Sequence, residues 1–164
     1  MKRLLLLLLL SAFTASLYAF SFGYSIAPVG ERSPFGDSYG AVSLSCIASP
    51  SKDSHIGDIE AEAKISFRSP VFQSLGLRVS APLFLTAKNP FSFLFANATL
   101  YSVKASLGAQ YNNDGGFSLY MGISPFNFQD TSYVYEFLSP YALYDIKDGE
   151  WGYGAYIMRF IYFF

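Results

Sequence analysis

Few residues in this chain of 164 are equipped for chemistry: it has one histidine and one cysteine. The histidine, His55, lies in Asp53-Ser54-His55, inside a stretch rich in Ser, Pro and Gly. A general base needs an orienting partner and a nucleophile within about 3 Å, a geometry that adjacent residues seldom reach. His55 is the catalytic candidate this sequence offers, and its setting favours a solvated turn residue. A lone imidazole and a lone thiol cannot assemble a histidine metal centre, a thiolate cluster or an internal disulfide, so neither metal nor cofactor is expected. Asp114-Gly115-Gly116 joins two alternating runs, which makes it a hairpin turn rather than a phosphate cradle. Cys46 shares its phase with Val42 and Leu44 and reads as a small apolar side chain.

The charged residues are placed more tellingly. Glu60, Glu62, Lys64 and Arg68 recur at every second residue among Ala61, Ala63, Ile65 and Phe67. Arg78 alternates with Leu77 and Val79, and Lys104 with Val103 and Ala105. A strand sends alternate residues to opposite faces, so these six charges share the polar faces of strands whose other faces are apolar. They read as a paired interior network.

The elements that must hold them begin after a leader. Met1-Lys2-Arg3, the seven leucines Leu4–Leu10 and the small-residue stretch ending at Ala19 have the layout of a secretory signal peptide. Residues 1–19 are assigned to it and 20–164 to a single domain. Removing the leader leaves nine basic against twelve acidic side chains. No positive field remains for nucleic acid, so no such partner is expected. Charged residues are only 14% of the chain, against roughly 25% in an average protein, while aromatics reach 19%.

Period two dominates the mature chain. In Tyr101–Asn112 every odd position is apolar or aromatic and every even one is polar or Gly. Residues 20–27, 41–48, 60–68, 75–85 and 117–124 behave alike. In 132–146 the outward set reads as Tyr133, Tyr135, Phe137, Tyr141 and Leu143, against a mixed opposite face. The last strand is expected from Trp151 to Phe163, with Tyr156, Met158, Phe160, Tyr162 and Phe164 on one face and Arg159 on the other. Turn signals at 30–37, 49–58, 112–116 and 147–150 separate these runs. Ala87–Ala98 and Pro125–Ser132 read as longer connections. The first either extends the neighbouring strands or dips into a bilayer edge. Eight strands result, spaced too closely for crossover helices. The fold class is all-β, an eight-stranded antiparallel up-and-down barrel that crosses a membrane.

Polarity decides between two kinds of barrel. A soluble carrier has an apolar lumen and a polar exterior, and a membrane barrel reverses this. Small Ser, Gly and Ala beside the charges suit a crowded interior, and the bulky stripe suits lipid. Tyr101 and Tyr111 bracket an aliphatic middle, the pattern of an interfacial aromatic girdle.

On these features the chain resembles the small eight-stranded barrels of the bacterial outer membrane. Tyr156, Met158, Phe160, Tyr162 and Phe164 carry the likeness at the C-terminus, where such families have a strand that the barrel-assembly machinery reads. The resemblance implies that machinery and outer-membrane lipids as partners, and a location in the outer membrane. It also implies periplasmic termini. The turns 112–116 and 147–150 would then face outward and are unusually short, with the longer connections on the periplasmic side. The function expected is a structural or interaction role. The alternatives are a lipid-modifying acyltransferase or deacylase of the same membrane, and a soluble periplasmic lipid carrier.

Overall fold

The computed structural model describes residues 20–34, 38–50, 57–67, 70–94, 98–130 and 132–164. The leader, His55 and Arg68 lie outside them. Eight strands follow one another: β1 Ser21–Arg32, β2 Ser38–Ser49, β3 Asp58–Ile65, β4 Phe72–Thr86, β5 Leu100–Asn112, β6 Phe117–Gln129, β7 Tyr133–Asp145 and β8 Trp151–Phe163. Each pairs antiparallel with its sequence neighbour, and β1 pairs with β8 to close the barrel. Among the described residues no helix is long and apolar enough to cross a membrane.

Alternation builds the wall. Along β1, Ser21, Gly23, Ser25, Ala27, Val29 and Glu31 are buried, and the residues between them are exposed. Along β3, Asp58, Glu60, Glu62 and Lys64 are buried while Ile59 and Ala61 are exposed. The outer surface carries Ile26, Leu44, Ile59, Leu77, Val79, Leu107, Leu119, Met121, Ile123 and Ile157 across its middle. Aromatic pairs lie towards both ends of this belt. Tyr111–Phe117 and Tyr144–Trp151, each at 4.9 Å between centroids, mark the end away from the termini. Tyr24–Tyr162 at 5.6 Å and Tyr133–Phe160 at 5.4 Å mark the terminal end.

Proline interrupts this regularity. A closed barrel has no free edge, so a proline within a strand must forfeit a ladder hydrogen bond and is accommodated at a bulge. Register shifts occur beside Pro28, between Ile26 and Val29, and beside Pro82, between Pro82 and Phe84. Opposite Pro125, the β5 register shifts between Ser102 and Lys104. Leu138 takes φ 50°, a left-handed conformation uncommon for a branched side chain.

The faces of β7 and β8 therefore exchange partway along. In β7, Val134 and Glu136 point inward; after Leu138 the inward residues are Ser139, Tyr141 and Leu143. The outward placing of Tyr141 and Leu143 is thus corrected, since uninterrupted alternation holds only up to Leu138. In β8, Ile157 and Met158 are both exposed, so Tyr156 lies inside with Arg159, Ile161 and Phe163. Tyr156 does not share a face with Met158, Phe160 and Phe164, and the expected five-residue stripe is interrupted at its first member.

Two connections also differ from expectation. Strand β6 runs through Pro125 to Gln129, which absorbs most of the supposed 125–132 connection. Residues 90–94 form a turn, not a strand extension: the Phe91 N–H donates to Asn89 Oδ1 at 2.9 Å and the Leu94 N–H to the Phe91 carbonyl at 2.9 Å. Phe91 folds back on the wall, its ring 5.6 Å from Phe128, 5.9 Å from Phe126 and 5.9 Å from Tyr101. The connections at the terminal end span 50–57, 87–99 and 130–132. Those at the far end span 33–37, 66–71, 113–116 and 146–150.

Candidate functional site: the interior ion-pair network

Ten charged strand residues are buried: Glu31, Asp58, Glu60, Glu62, Lys64, Arg78, Lys104, Glu136, Asp145 and Arg159. Asp145 serves the far-end turn, where its Oδ1 accepts from the Lys147 and Asp148 amides at 2.9 and 2.6 Å. The other nine form three linked tiers.

The tier nearest the far end centres on Glu31. Lys64 is ion-paired with it and also donates to Gln110 Oε1 at 2.8 Å and Tyr141 Oη at 3.0 Å. Tyr39 and Tyr141 each donate to Glu31 at 2.5 Å, and Gln110 donates at 3.1 Å. In the middle tier Arg78 grips Glu60 with two bonds of 2.7 Å. It also donates to Tyr156 Oη at 2.6 Å and reaches Glu62 at 3.5 Å. Tyr156 in turn donates to Glu62, with 2.7 and 2.8 Å to its two oxygens, and Ser43 donates to the same carboxylate. In the last tier Arg159 bonds Glu60, Glu136 at 3.2 Å and Ser25 at 3.1 Å. Lys104 bonds Asp58 at 2.9 Å and lies 3.9 Å from Glu136. Below it, Ile47, Val134, Ile161 and Phe163 form an apolar cluster.

A buried charge is tolerated only when paired and hydrogen-bonded. Five carboxylates face four cations here, and hydroxyls supply further donors: Tyr39 and Tyr141 to Glu31, which has Lys64 as its one cation, and Tyr156 and Ser43 to Glu62, whose nearest cation is Arg78 at 3.5 Å. Aromatic rings add to this: the Lys64 ammonium lies 4.5 Å from the Tyr141 ring centre, and the Arg78 guanidinium 4.8 Å from that of Tyr156. The gap between Glu62, Arg78, Gln110 and Tyr120 is about 10 Å³, room for one water at most.

Of the six charges singled out in the sequence, Glu60, Glu62, Lys64, Arg78 and Lys104 meet in this network, and Arg68 is outside the described residues. Sequence reasoning placed Arg159 on the face opposite the outward stripe of the last strand, where it is indeed buried, but left it out of the network together with Glu31, Asp58, Glu136 and the tyrosines. Asp58 could have been found by continuing the β3 alternation by one step, and Glu31 by continuing that of β1. Glu136 and Tyr141 lie on opposite sides of the exchange at Leu138, which no local pattern announces. The polarity, charged within and apolar without, is the reverse of what a soluble carrier needs.

No family model and no curated protein sequence matches the chain. Two solved structures do resemble it. One is the crystal structure of Neisserial surface protein A (NspA), at 12% identity and TM-score 0.54, covering 89% of this chain and 97% of that one. The other is the N-terminal β-barrel domain of Pseudomonas aeruginosa OprF, at 14% identity and TM-score 0.50, covering 87% and 97%. The likeness is one of fold: the closed eight-stranded barrel of small outer-membrane proteins.

Proposed function

We propose that this chain is an integral outer-membrane protein that spans the bilayer as a plugged barrel and has a structural or interaction role. The observation that carries this reading is the segregation of charge. Ten charged strand residues lie inside the wall, and Arg32, at the end of β1, is the outward exception. A charge at the bilayer midplane costs roughly 2–4 kcal/mol, falling to about 0–1 near the interface. A wall meeting lipid requires such sorting, and an exposed apolar surface this extensive would drive a soluble protein to aggregate. The fold shared with NspA and the OprF domain supports the outer membrane as the location.

The partners in this reading are outer-membrane lipids along the wall and the assembly machinery at β8. There Met158, Phe160, Tyr162 and Phe164 form the outward stripe, without Tyr156. The short far-end turns offer little surface to an extracellular ligand, which leaves the lipid-facing wall as the main area for interaction. Fractionation tests the reading. The protein should stay with outer membranes through carbonate washing and migrate faster on a gel before heating than after. Release by carbonate together with heat-independent migration would overturn it.

A further inference from the structure

Arg32 is the one outward charge among the described strand residues, and it adjoins a depression in the wall. Gly30 pairs with Gly40 across β1–β2 and with Ala155 across β1–β8, so three small residues lie side by side on the outer face. A Cβ at Gly30 or Gly40 would meet nothing within 4 Å. Tyr153 and Ile157 rise on one side of this floor, and Val42 and Phe67 line the other. The trough has a volume of about 1020 Å³. Arg32 pairs with Ser38 and Tyr153 at its far-end rim, its guanidinium 6.0 Å from the centre of the Tyr153 ring. Trp151 and Tyr153 belong to the aromatic ring at that end, so Arg32 stands at headgroup depth with the trough running from it toward the aliphatic belt.

We propose that this trough is a binding site for one anionic phospholipid, an acyl chain lying over Gly30, Gly40 and Ala155 and the net negative headgroup meeting Arg32. This rests on the membrane reading above and gives it a specific lipid contact. Missing side chains provide the width for a chain, and the cation provides the charge complement. A second groove, of about 590 Å³ over Leu75, Leu77, Ala109, Tyr111 and Phe117, is lined without any charge and has no such complement. A second copy of the chain fits the trough poorly. Related by a two-fold axis along the membrane normal, it would set concave wall against concave wall and bring Arg32 level with its own equivalent.

Trp151, the chain's one tryptophan, faces outward two residues from Tyr153 on β8 and provides the readout. The full-length protein is reconstituted in phosphatidylcholine vesicles containing a small fraction of either phosphatidylglycerol or phosphatidylcholine with brominated chains. Trp151 should be quenched by the phosphatidylglycerol with an apparent affinity roughly five-fold higher, as expected for one arginine at an anionic headgroup. Arg32→Gln should abolish that difference. Gly30→Leu with Gly40→Leu should lower quenching by both lipids while heat-dependent migration stays normal. Equal quenching by the two lipids in the unmodified protein, or a difference that survives Arg32→Gln, overturns the proposal and leaves the membrane reading standing. So does sedimentation as a dimer that Gly30→Leu dissociates. Quenching by neither lipid overturns both.

Discussion

Arg78 is the residue on which most of the interior converges. It touches Glu60 through two nitrogens, Glu62, Tyr120 and Tyr156, and so links β3, β4, β6 and β8 through one planar group. Removing it leaves Glu62 without its cation and Glu60 with Arg159 alone, inside a wall that water does not reach. Breaking a buried pair from one side costs about 3–5 kcal/mol, so Arg78→Met should lower the unfolding free energy of the barrel in detergent by that amount, read from urea titration. Arg78→Lys keeps the charge but not the fork that grips Glu60, and should fall between the two. The position of Arg78 was legible in the sequence because Leu75, Leu77 and Val79 flank it with unbroken alternation. Its tyrosine partners were not legible. A tyrosine suits a lipid interface as well as a polar core, and residue type alone does not say which face Tyr156 or Tyr141 occupies.

At the scale of the element, the strands were legible wherever period two ran without interruption, as in β1, β3 and β5. The long hairpin strands β6, β7 and β8 were read less well because proline and a left-handed residue shift the phase within them. Leu138 is the clearest instance. Its φ of 50° turns β7 so that Glu136 and Ser139, three residues apart, both face inward. An L-residue with a side chain costs about 1–2 kcal/mol in that conformation, and the Leu138 side chain is exposed. Leu138→Gly should therefore raise the stability of the barrel by about 1 kcal/mol, as far as the lost lipid contact allows. Leu138→Val, branched at Cβ, should lower it. Equal urea midpoints for the two variants would show that the phase exchange is set elsewhere in the strand. The 87–99 connection illustrates another limit. Its Phe91 could be recognised as apolar, but its destination against Phe126, Phe128 and Tyr101 depends on a bulge in β6 that only the closed sheet reveals.

At the scale of the whole molecule, the barrel joins a dry, ion-paired interior to an apolar wall, with its two longest connections, 50–57 and 87–99, at the end that holds the termini. Eight strands enclose a lumen that side chains can fill, and the tiers around Glu31, Arg78 and Arg159 fill it. The protein inserted in a planar bilayer should give no steady single-channel current; well-resolved, reproducible steps would contradict a plugged interior. The closed sheet itself follows from eight alternating runs joined by short turns, which is why fold class was readable from composition and period while the specific partners of each side chain were not.

The central claim is that the wall of this barrel meets lipid, and strand β5 tests it most directly. Tyr101, Val103, Ala105, Leu107, Ala109 and Tyr111 face outward in register along its length. With Trp151 replaced by Phe, a single tryptophan is placed at each of these positions in turn, in vesicles whose lipids carry bromine near mid-chain. Quenching should peak at Ala105 and Leu107 and decline toward Tyr101 and Tyr111. A flat profile, or no quenching at any position, would contradict a barrel that spans the bilayer.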